Sequence, residues 1–184
     1  MEHTFTSTTV QIDASMFTFC KALEKDGYQL LGSGCFGAAY AKPDSKLVMK
    51  IGRIHRNQPY LAWIAQLQKA PRHENLPIIY GITHYKPTNG ANEFFVVVME
   101  RLEHCRDYLT APVEKSKKAR QWYYDMESEV YEVAKRRATA SSFLVELIAK
   151  AVIQSDGCLD MHLGNIMARG AGENMELVIT DPIS

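Results

Sequence analysis

Residues 158–167 read CLDMHLGNIM, and residues 178–182 read VITDP. Asp160 is followed five residues later by Asn165 at the start of a strand-like run, and Asp181 follows a short apolar strand. Carboxylate and amide oxygens can bind Mg²⁺, and an aspartate beside such a site can accept or orient a proton. We therefore predict that Asp160 handles a proton while Asn165 and Asp181 hold Mg²⁺. The alternative is a helix-ending loop with capping polar residues, followed by an ordinary turn.

A glycine-rich stretch lies upstream, between two predicted strands at 28–31 and 38–41. It comprises Gly32, Ser33, Gly34, Cys35, Phe36 and Gly37. Glycines at this spacing let backbone N–H groups approach phosphate oxygens without interference from a Cβ atom. Lys50 follows on the next predicted strand, 47–51, where its charge can hold the α- and β-phosphates of ATP. A flexible turn and a solvated edge lysine are the alternatives.

The composition is that of an ordinary globular chain, with 184 residues of which 46% are hydrophobic and 23% charged. Basic and acidic residues number 21 each, so the net charge of zero gives no reason to expect a membrane or direct nucleic-acid partner. The start of the chain lacks the pattern of a signal peptide, and the longest apolar run, 94–99, has the length of a strand. The cysteines form no CxxC pair and are expected to be free thiols. These features predict a cytoplasmic protein.

Hydrophobic periodicity and turn residues predict a strand-rich first part and a helical second part. Further strands are predicted at 78–85, 93–100, 165–168 and 176–180. Helices are predicted at 14–26, 60–70 and 140–153, and the basic runs of the charged segment 113–138 are expected to form a solvated helix face. We expect His162 to bond the backbone of its loop, and Trp122, Tyr123 and Tyr124 to pack their helix. The order of elements predicts an α+β fold with a lobe boundary at 99–103.

Four stretches carry a family resemblance: GSGCFGAAYAKP (32–43), LVMKIG (47–52), LDMHLGNIM (159–167) and VITDPIS (178–184). They resemble the early serine/threonine protein kinase of short-tailed lytic phages, the Autographiviridae-type podoviruses that encode a single-subunit RNA polymerase. The resemblance implies a bilobal protein-kinase-like fold in a single domain, with an N-lobe at 1–100 and a truncated or minimal helical C-lobe at 101–184. It also implies transfer of the ATP γ-phosphate, with Mg²⁺, to serine or threonine of host proteins and of the enzyme itself. The implied targets are host transcription, translation or RNA-processing machinery.

The resemblance also implies roles for individual residues. Catalysis is implied for Asp160, Lys50 and Asn165, and metal binding for Asn165 and Asp181. ATP binding is implied for the glycine-rich stretch Gly32–Gly37, for Lys50, and for Met99, Glu100 and Leu102 in the hinge-like segment MERLE (99–103). The implied cofactors are ATP and Mg²⁺.

The chain departs from the ordinary protein-kinase pattern at several positions. Cys158 and Leu159 replace the His-Arg pair before the catalytic aspartate, and Pro182 follows Asp181 in place of phenylalanine. Residues 51–73 contain no Asp or Glu, so the usual carboxylate partner of the strand lysine is missing, and Gln66 or Gln68 is the candidate to substitute for it. Three residues follow Asp181 in the sequence, so the expected C-lobe is either truncated or naturally minimal.

Two other functions stay open on the sequence. A small-molecule phosphotransferase of the aminoglycoside type keeps the same Asp–x4–Asn loop and a later aspartate. A non-catalytic kinase-like protein would inhibit a host enzyme or defence factor by contact alone. A homodimer that covers the apolar helix at 140–153 is a further expectation, since a reduced lobe leaves such surface in need of cover.

Overall fold

The computed structural model describes residues 5–34, 37–55, 58–136, 138–170 and 175–184. These residues form two compact units. The first unit comprises Ile78–Arg101 and the described part of Met1–Arg56, and the second comprises Leu102–Ser184 and the described part of Asn57–Pro77.

The first unit is built on a six-stranded sheet with the strand order β1-β5-β6-β4-β3-β2. Its strands are β1 (Thr6–Ile12), β2 (Gln29–Gly34), β3 (Gly37–Ala41), β4 (Leu47–Arg53), β5 (Ile79–Pro87) and β6 (Phe94–Glu100). β1 is parallel to β5, and the other neighbouring strands are antiparallel. The predicted strands at 28–31, 38–41, 47–51, 78–85 and 93–100 are confirmed within a few residues, whereas β1 was not predicted.

One helix, α1 (Met16–Lys25), packs on this sheet. The hydroxyl of Ser15 caps its N-terminus by accepting a bond from Thr18 N–H. After the C-terminal end of the helix comes Gly27, whose φ of 85° is unfavourable for other residues. The core between helix and sheet contains Cys20, Tyr40, Ile51, Phe94 and Val96. The opposite sheet face carries a smaller apolar cluster of Ala41, Val48 and Met99. Side chains alternate along a strand, so Lys50 shares this second face with Val48.

The second unit combines four helices with a small three-stranded sheet. The helices are α2 (Pro59–Leu67), α3 (Arg106–Thr110), α4 (Glu114–Arg136) and α5 (Phe143–Ser155). The strands are β7 (Glu103–His104), β8 (Ile166–Arg169) and β9 (Glu176–Ile179), in the order β7-β8-β9. The predicted helices and terminal strands are present, although α2 ends three residues early and α5 begins after its capping residue, Ser142. β7 and α3 were not predicted.

Helix α5 forms the centre of the second unit. Its buried residues are Leu144, Val145, Leu147, Ile148, Ala149, Ala151, Val152 and Ser155. It packs against α2 and α4. Phe143 and Ile153 of the same helix are exposed, and the homodimer expected through the helix at 140–153 stays a prediction.

The predicted α+β class is confirmed, since a mixed sheet and several helices occupy separate parts of the chain. No helix in the described part of the chain combines the length and the hydropathy needed to cross a bilayer. Cys20, Cys105 and Cys158 are free thiols, as expected, and Cys35 lies outside the described residues.

Candidate functional site

The segments that carry Asp160 and Asp181 lie side by side. Cys158 N–H donates to the carbonyl of Ser184 at 2.9 Å, and Ser184 N–H donates back to Cys158 at 3.0 Å. Asp160 N–H donates to the carbonyl of Pro182 at 2.9 Å. Because Pro182 follows Asp181 directly, this pairing brings two aspartates that are 21 positions apart in the sequence into one local site.

Asn165 is fixed by bonds from both its backbone and its side chain. It ends a 3-10 turn (Leu163–Asn165), where its N–H donates to the carbonyl of His162 at 2.8 Å. Its side-chain Nδ2 donates to the backbone carbonyl of Asp160 at 2.7 Å. The amide nitrogen is therefore committed to the loop, and the amide oxygen is the atom that can bind a cation. This geometry brings the predicted metal ligand next to the predicted proton acceptor.

Asp181 follows the end of β9, and its neighbour Thr180 is bonded to the Asn165 segment. Thr180 donates to the carbonyl of Asn165 twice, from its backbone N–H at 2.9 Å and from its hydroxyl at 3.0 Å. The Oδ1 atom of Asp181 is buried. Burial raises the pKa of Tyr60 well above its usual value, and the nearby negative charge of Asp181 raises that pKa further. Tyr60 is thus close enough to Asp181 for the two side chains to interact electrostatically.

Asp160 differs from Asp181 in its exposure to solvent. Its side chain is 41% exposed, and the neighbouring side chain of His162 is 58% exposed. His162 Nε2 lies 3.8 Å from Asp160 Oδ1, which is too long for a hydrogen bond. Its other ring nitrogen, Nδ1, accepts a bond from Gly164 N–H at 3.0 Å, as predicted for a histidine that shapes its loop. Asp160 is therefore open to an incoming group, whereas His162 serves the backbone.

The segment between α2 and the first unit braces the β8–β9 hairpin. Asn75 accepts a bond from Ile179 N–H at 3.0 Å, and its Nδ2 donates to the carbonyl of Leu177 at 2.8 Å. Arg169 donates to the carbonyls of Glu74 and Leu76 and pairs with the carboxylate of Glu176. Trp63 in α2 donates from Nε1 to the carbonyl of Thr180 at 3.2 Å. These contacts hold the strands that lead into and out of the site.

Five further residues that were not predicted contribute to this site: Tyr60, Trp63, Asn75, Arg169 and Thr180. Tyr60 and Trp63 lie in an apolar helix pattern that predicts core packing and nothing more specific. Asn75 and Arg169 make bonds to backbone groups far away in sequence, which no local pattern reports. Thr180 directly precedes Asp181 in the sequence, and its hydroxyl group was the one available signal that it could bond to the site.

The described glycines of the predicted phosphate loop differ in their surroundings. Gly32 and Gly34 are exposed in β2 with negative or extended backbone angles, and a Cβ on either would meet no described atom within 4 Å. Gly37 begins β3, and a Cβ there would collide with the backbone carbonyl of Ile51. Ser33 is also exposed in β2, and Cys35 and Phe36 lie outside the described residues. Gly37 is thus required for sheet packing, whereas Gly32 and Gly34 leave open space above the strand.

Lys50 lies in the middle of β4, opposite Ala39 on one neighbouring strand and Val97 on the other. It is half-buried, on the sheet face that carries the apolar cluster with Val48 and Met99. An ammonium group beside such a surface suits a ligand with an apolar part and a negatively charged part. The predicted ATP residues Lys50 and Met99 therefore share one face of the sheet.

The remaining two hinge predictions fall on different units. Glu100 is the last residue of β6, and its carboxylate accepts a bond from Ile78 N–H at 2.8 Å. The side chain therefore links the end of β6 to the residue that precedes β5. Leu102 is buried and is the first residue of the second unit after the sheet. Gln66, one of the two glutamines predicted to substitute for the missing acidic partner of Lys50, donates to Gln154 in α5 at 2.8 Å. That bond places its amide nitrogen within the second unit.

The donor set of the second unit fits Mg²⁺ held jointly with phosphate oxygens. Among the described residues, no group of three or more His, Cys, Asp or Glu side chains could hold a metal by itself. Mg²⁺ usually keeps several waters and takes one or two carboxylates together with substrate phosphates. Asp181 and the amide oxygen of Asn165 match that partial ligand set.

A protein-family model described as Bacteriophage T7 protein kinase 0.7 matches residues 2–184 of the chain. The matched range contains every residue of the site described above. Comparison with curated proteins gives no significant match.

Proposed function

The chain belongs to the family of the bacteriophage T7 protein kinase 0.7, and from that premise we propose that it is a serine/threonine protein kinase using ATP and Mg²⁺. Its substrates in this proposal are hydroxyl groups of host proteins, in the transcription, translation or RNA-processing machinery, and of the kinase itself. The proposed place of action is the cytoplasm of the infected bacterium. The proposed fold is the bilobal protein-kinase-like fold, with the glycine-rich sheet as N-lobe.

The observation that carries the proposal is the backbone pairing of residues 158–160 with 182–184. It brings Asp160 and Asp181 into one local site, and the Asn165 side chain bonds to the same segment. A phosphoryl-transfer site needs these three side chains close together, because catalysis depends on positioning the reactants and on neutralising the phosphate charge. A loop with only structural polar residues would not need an exposed carboxylate next to a buried one.

Each proposed role follows from the position of the side chain. Asp160, which is open to solvent, accepts or orients the proton of the acceptor hydroxyl. Asn165 and Asp181 would hold Mg²⁺, which when bound neutralises phosphate charge. Lys50 and the open glycine strand would hold the phosphates of ATP, and Met99 with its apolar neighbours suits the adenine base.

The test is transfer of labelled phosphate from ATP in the presence of Mg²⁺ to proteins of a host-cell lysate. We expect label on protein serine and threonine for the unmodified chain, and a loss of at least a hundred-fold for Asp160→Ala and Lys50→Ala, in the range that positioned acid–base and charge groups contribute. Asp125→Ala, which changes an exposed aspartate on α4, serves as the control and should transfer normally.

The same experiment separates the competing functions. Label confined to small molecules would favour the aminoglycoside-type phosphotransferase over the protein kinase. No transfer by a folded, unmodified chain would leave the non-catalytic binding protein. Transfer that survives Asp160→Ala would contradict the role of this aspartate.

A further inference from the structure

Trp63 is the most deeply buried large side chain of α2, with a relative exposure of 0%. Its indole Nε1–H donates to the backbone carbonyl of Thr180 at 3.2 Å. That carbonyl belongs to the peptide group joining Thr180 to Asp181, so the bond fixes the peptide plane from which the Asp181 side chain projects.

The bond continues into the rest of the site. Thr180 donates to the carbonyl of Asn165 from both its N–H and its hydroxyl, and Asn165 Nδ2 donates to the carbonyl of Asp160. Hydrogen bonds and the covalent backbone together therefore connect α2 to the segments that carry both proposed Mg²⁺ ligands and the proposed proton acceptor. Such a series transmits the position of one rigid element to several polar side chains.

Helix α2 is itself well anchored. It packs on α5, and Gln66 in its last turn donates to Gln154 of α5 at 2.8 Å. The helix contains no carboxylate, so it cannot supply the acidic side chain that this region provides in ordinary protein kinases. It directs the indole N–H of Trp63 at the site, and Tyr60, one turn earlier, interacts electrostatically with Asp181.

We propose that Trp63 is a positioning residue that holds Asp181 and Asn165 in the geometry that binds Mg²⁺ with ATP. This inference rests on the proposed kinase function. A purely structural role is the competing interpretation, because a buried tryptophan also contributes a large apolar surface. The two interpretations differ in what the N–H group alone does, since packing depends on the shape of the ring and positioning depends on the hydrogen bond.

The experiment removes the N–H group and keeps the shape. The chain has two tryptophans, and Trp122→Phe leaves Trp63 as the only one. In that background Trp63 is replaced by 3-benzothienylalanine, in which sulfur stands in place of the indole N–H. The measurements are the melting temperature, the affinity for Mg²⁺ with ADP by calorimetry, and the Mg²⁺ concentration that gives half-maximal phosphate transfer.

We expect the isosteric replacement to raise the Mg²⁺ requirement and to weaken Mg²⁺-dependent ADP binding roughly five-fold or more, the size of one lost hydrogen bond, with a melting temperature close to that of Trp122→Phe. With Trp63 intact, the Trp122→Phe protein should show a change in indole fluorescence when Mg²⁺ and ADP bind, because Trp63 adjoins Asp181. The protein with Trp122→Phe alone should keep the Mg²⁺ requirement of the unmodified chain.

A second variant covers the case in which the replaced protein does not fold. Thr180→Val keeps the shape of the side chain and removes only the hydroxyl bond to Asn165, so it should shift the Mg²⁺ requirement in the same direction. Suppose that the unmodified chain binds Mg²⁺ with ADP normally, and that the folded Trp63 replacement, or Thr180→Val if that replacement does not fold, has an unchanged Mg²⁺ requirement. This result would overturn the positioning role and leave the proposed kinase function in place. Absence of Mg²⁺-dependent nucleotide binding by the unmodified chain would overturn the kinase function and this inference with it.

Discussion

Tyr123 carries a hydroxyl group into the core of the second unit, where only 1% of the residue is exposed. Its oxygen has no hydrogen-bond partner among the residues that the structure describes. A buried hydroxyl without a partner costs about 1–3 kcal/mol of stability. Burial raises the pKa of Tyr123, and the negative charges of Glu127 and Asp160 raise it further. The phenol is therefore held neutral in the folded protein.

We expect Tyr123→Phe to increase the free energy of unfolding by about 1 kcal/mol at neutral pH, because it removes the unsatisfied hydroxyl and keeps the ring. The effect on pH dependence has a definite sign. With a raised pKa in the folded state, the stability due to the neutral phenol is present below about pH 10 and is lost as the pH rises above it, because the unfolded chain loses the proton first. Tyr123→Phe should therefore reduce the alkaline loss of stability.

Urea denaturation at neutral and alkaline pH measures both effects. Tyr124→Phe is the matched control, since Tyr124 is the next residue of α4 and is 50% exposed. It should change neither quantity by more than about 0.5 kcal/mol. A loss of stability in Tyr123→Phe would mean that the hydroxyl is satisfied in solution.

Single residues show where sequence reasoning succeeds and where it stops. The spacing of Asp160, Asn165 and Asp181 predicted that they belong together, because catalytic chemistry restricts residue type and interval. Packing was predicted alike for Trp122, Tyr123 and Tyr124, yet Tyr123 is buried whereas Tyr124 is exposed. Trp63 could not be assigned to the site, because its hydrogen bond joins residues 117 positions apart. Only the folded chain brings that donor and acceptor together.

At the scale of elements, glycines of the β2–β3 hairpin that look equivalent in the sequence have different surroundings in the structure. Gly37 touches the backbone of Ile51, whereas Gly32 faces open space among the described residues. A side chain at position 37 would overlap the backbone of the protein itself. A side chain at position 32 would overlap a ligand that approaches the strand.

We expect Gly37→Ala to destabilise the protein by about 1–3 kcal/mol, because the new methyl group overlaps a backbone carbonyl that cannot move alone. Gly32→Ala should change stability by less than about 1 kcal/mol, since the position has room and an ordinary backbone conformation. It should nevertheless weaken ATP binding, because the methyl group occupies the proposed approach of the phosphates. Thermal melting and nucleotide titration of the two variants test this pair, and full ATP affinity in Gly32→Ala would contradict the phosphate-binding role.

Elements with strong local signals were predictable, and those held by distant partners were not. The β5–β6 hairpin was predicted because apolar strands flank a turn with Asn89 and Gly90, and Gly90 adopts a φ of 80°. β1 was missed because its polar residues show no apolar alternation, and its partner β5 lies more than 60 positions away in the chain. Its Thr and Val residues favour strands, which was the only available signal.

For the molecule as a whole, stability comes from apolar packing within each unit. The described ion pairs join mostly exposed side chains, and several link residues one helical turn apart. Such pairs contribute little. The formal net charge of zero gives no overall electrostatic attraction to a charged partner. The proposed binding of ATP would therefore depend on the local groups of the proposed site, and its effect on stability is measurable.

We expect Mg²⁺ with ATP, at about a hundred times its dissociation constant, to stabilise the folded protein by about 2.7 kcal/mol, since a ligand that binds only the folded state shifts the equilibrium toward it. Lys50→Ala should melt near the unmodified protein without ligand and should lose most of the ligand-induced rise. Lys46→Ala, an exposed lysine just before β4, is the control and should keep that rise. Thermal melting with and without nucleotide provides the measurement, and an undiminished rise in Lys50→Ala would exclude it as a phosphate anchor.

The antiparallel contact between residues 158–160 and 182–184 has a consequence for local unfolding. Its backbone bonds close a ring that contains the 3-10 turn together with β8 and β9. Releasing residues 182–184 would remove a contact that the segments of Asp160 and Asp181 share, while the bonds of Asn165 and Trp63 would still hold both segments. Opening of this contact would therefore loosen both carboxylates without unfolding the β8–β9 hairpin, a local event that amide hydrogen exchange at Asp160 and Ser184 would detect.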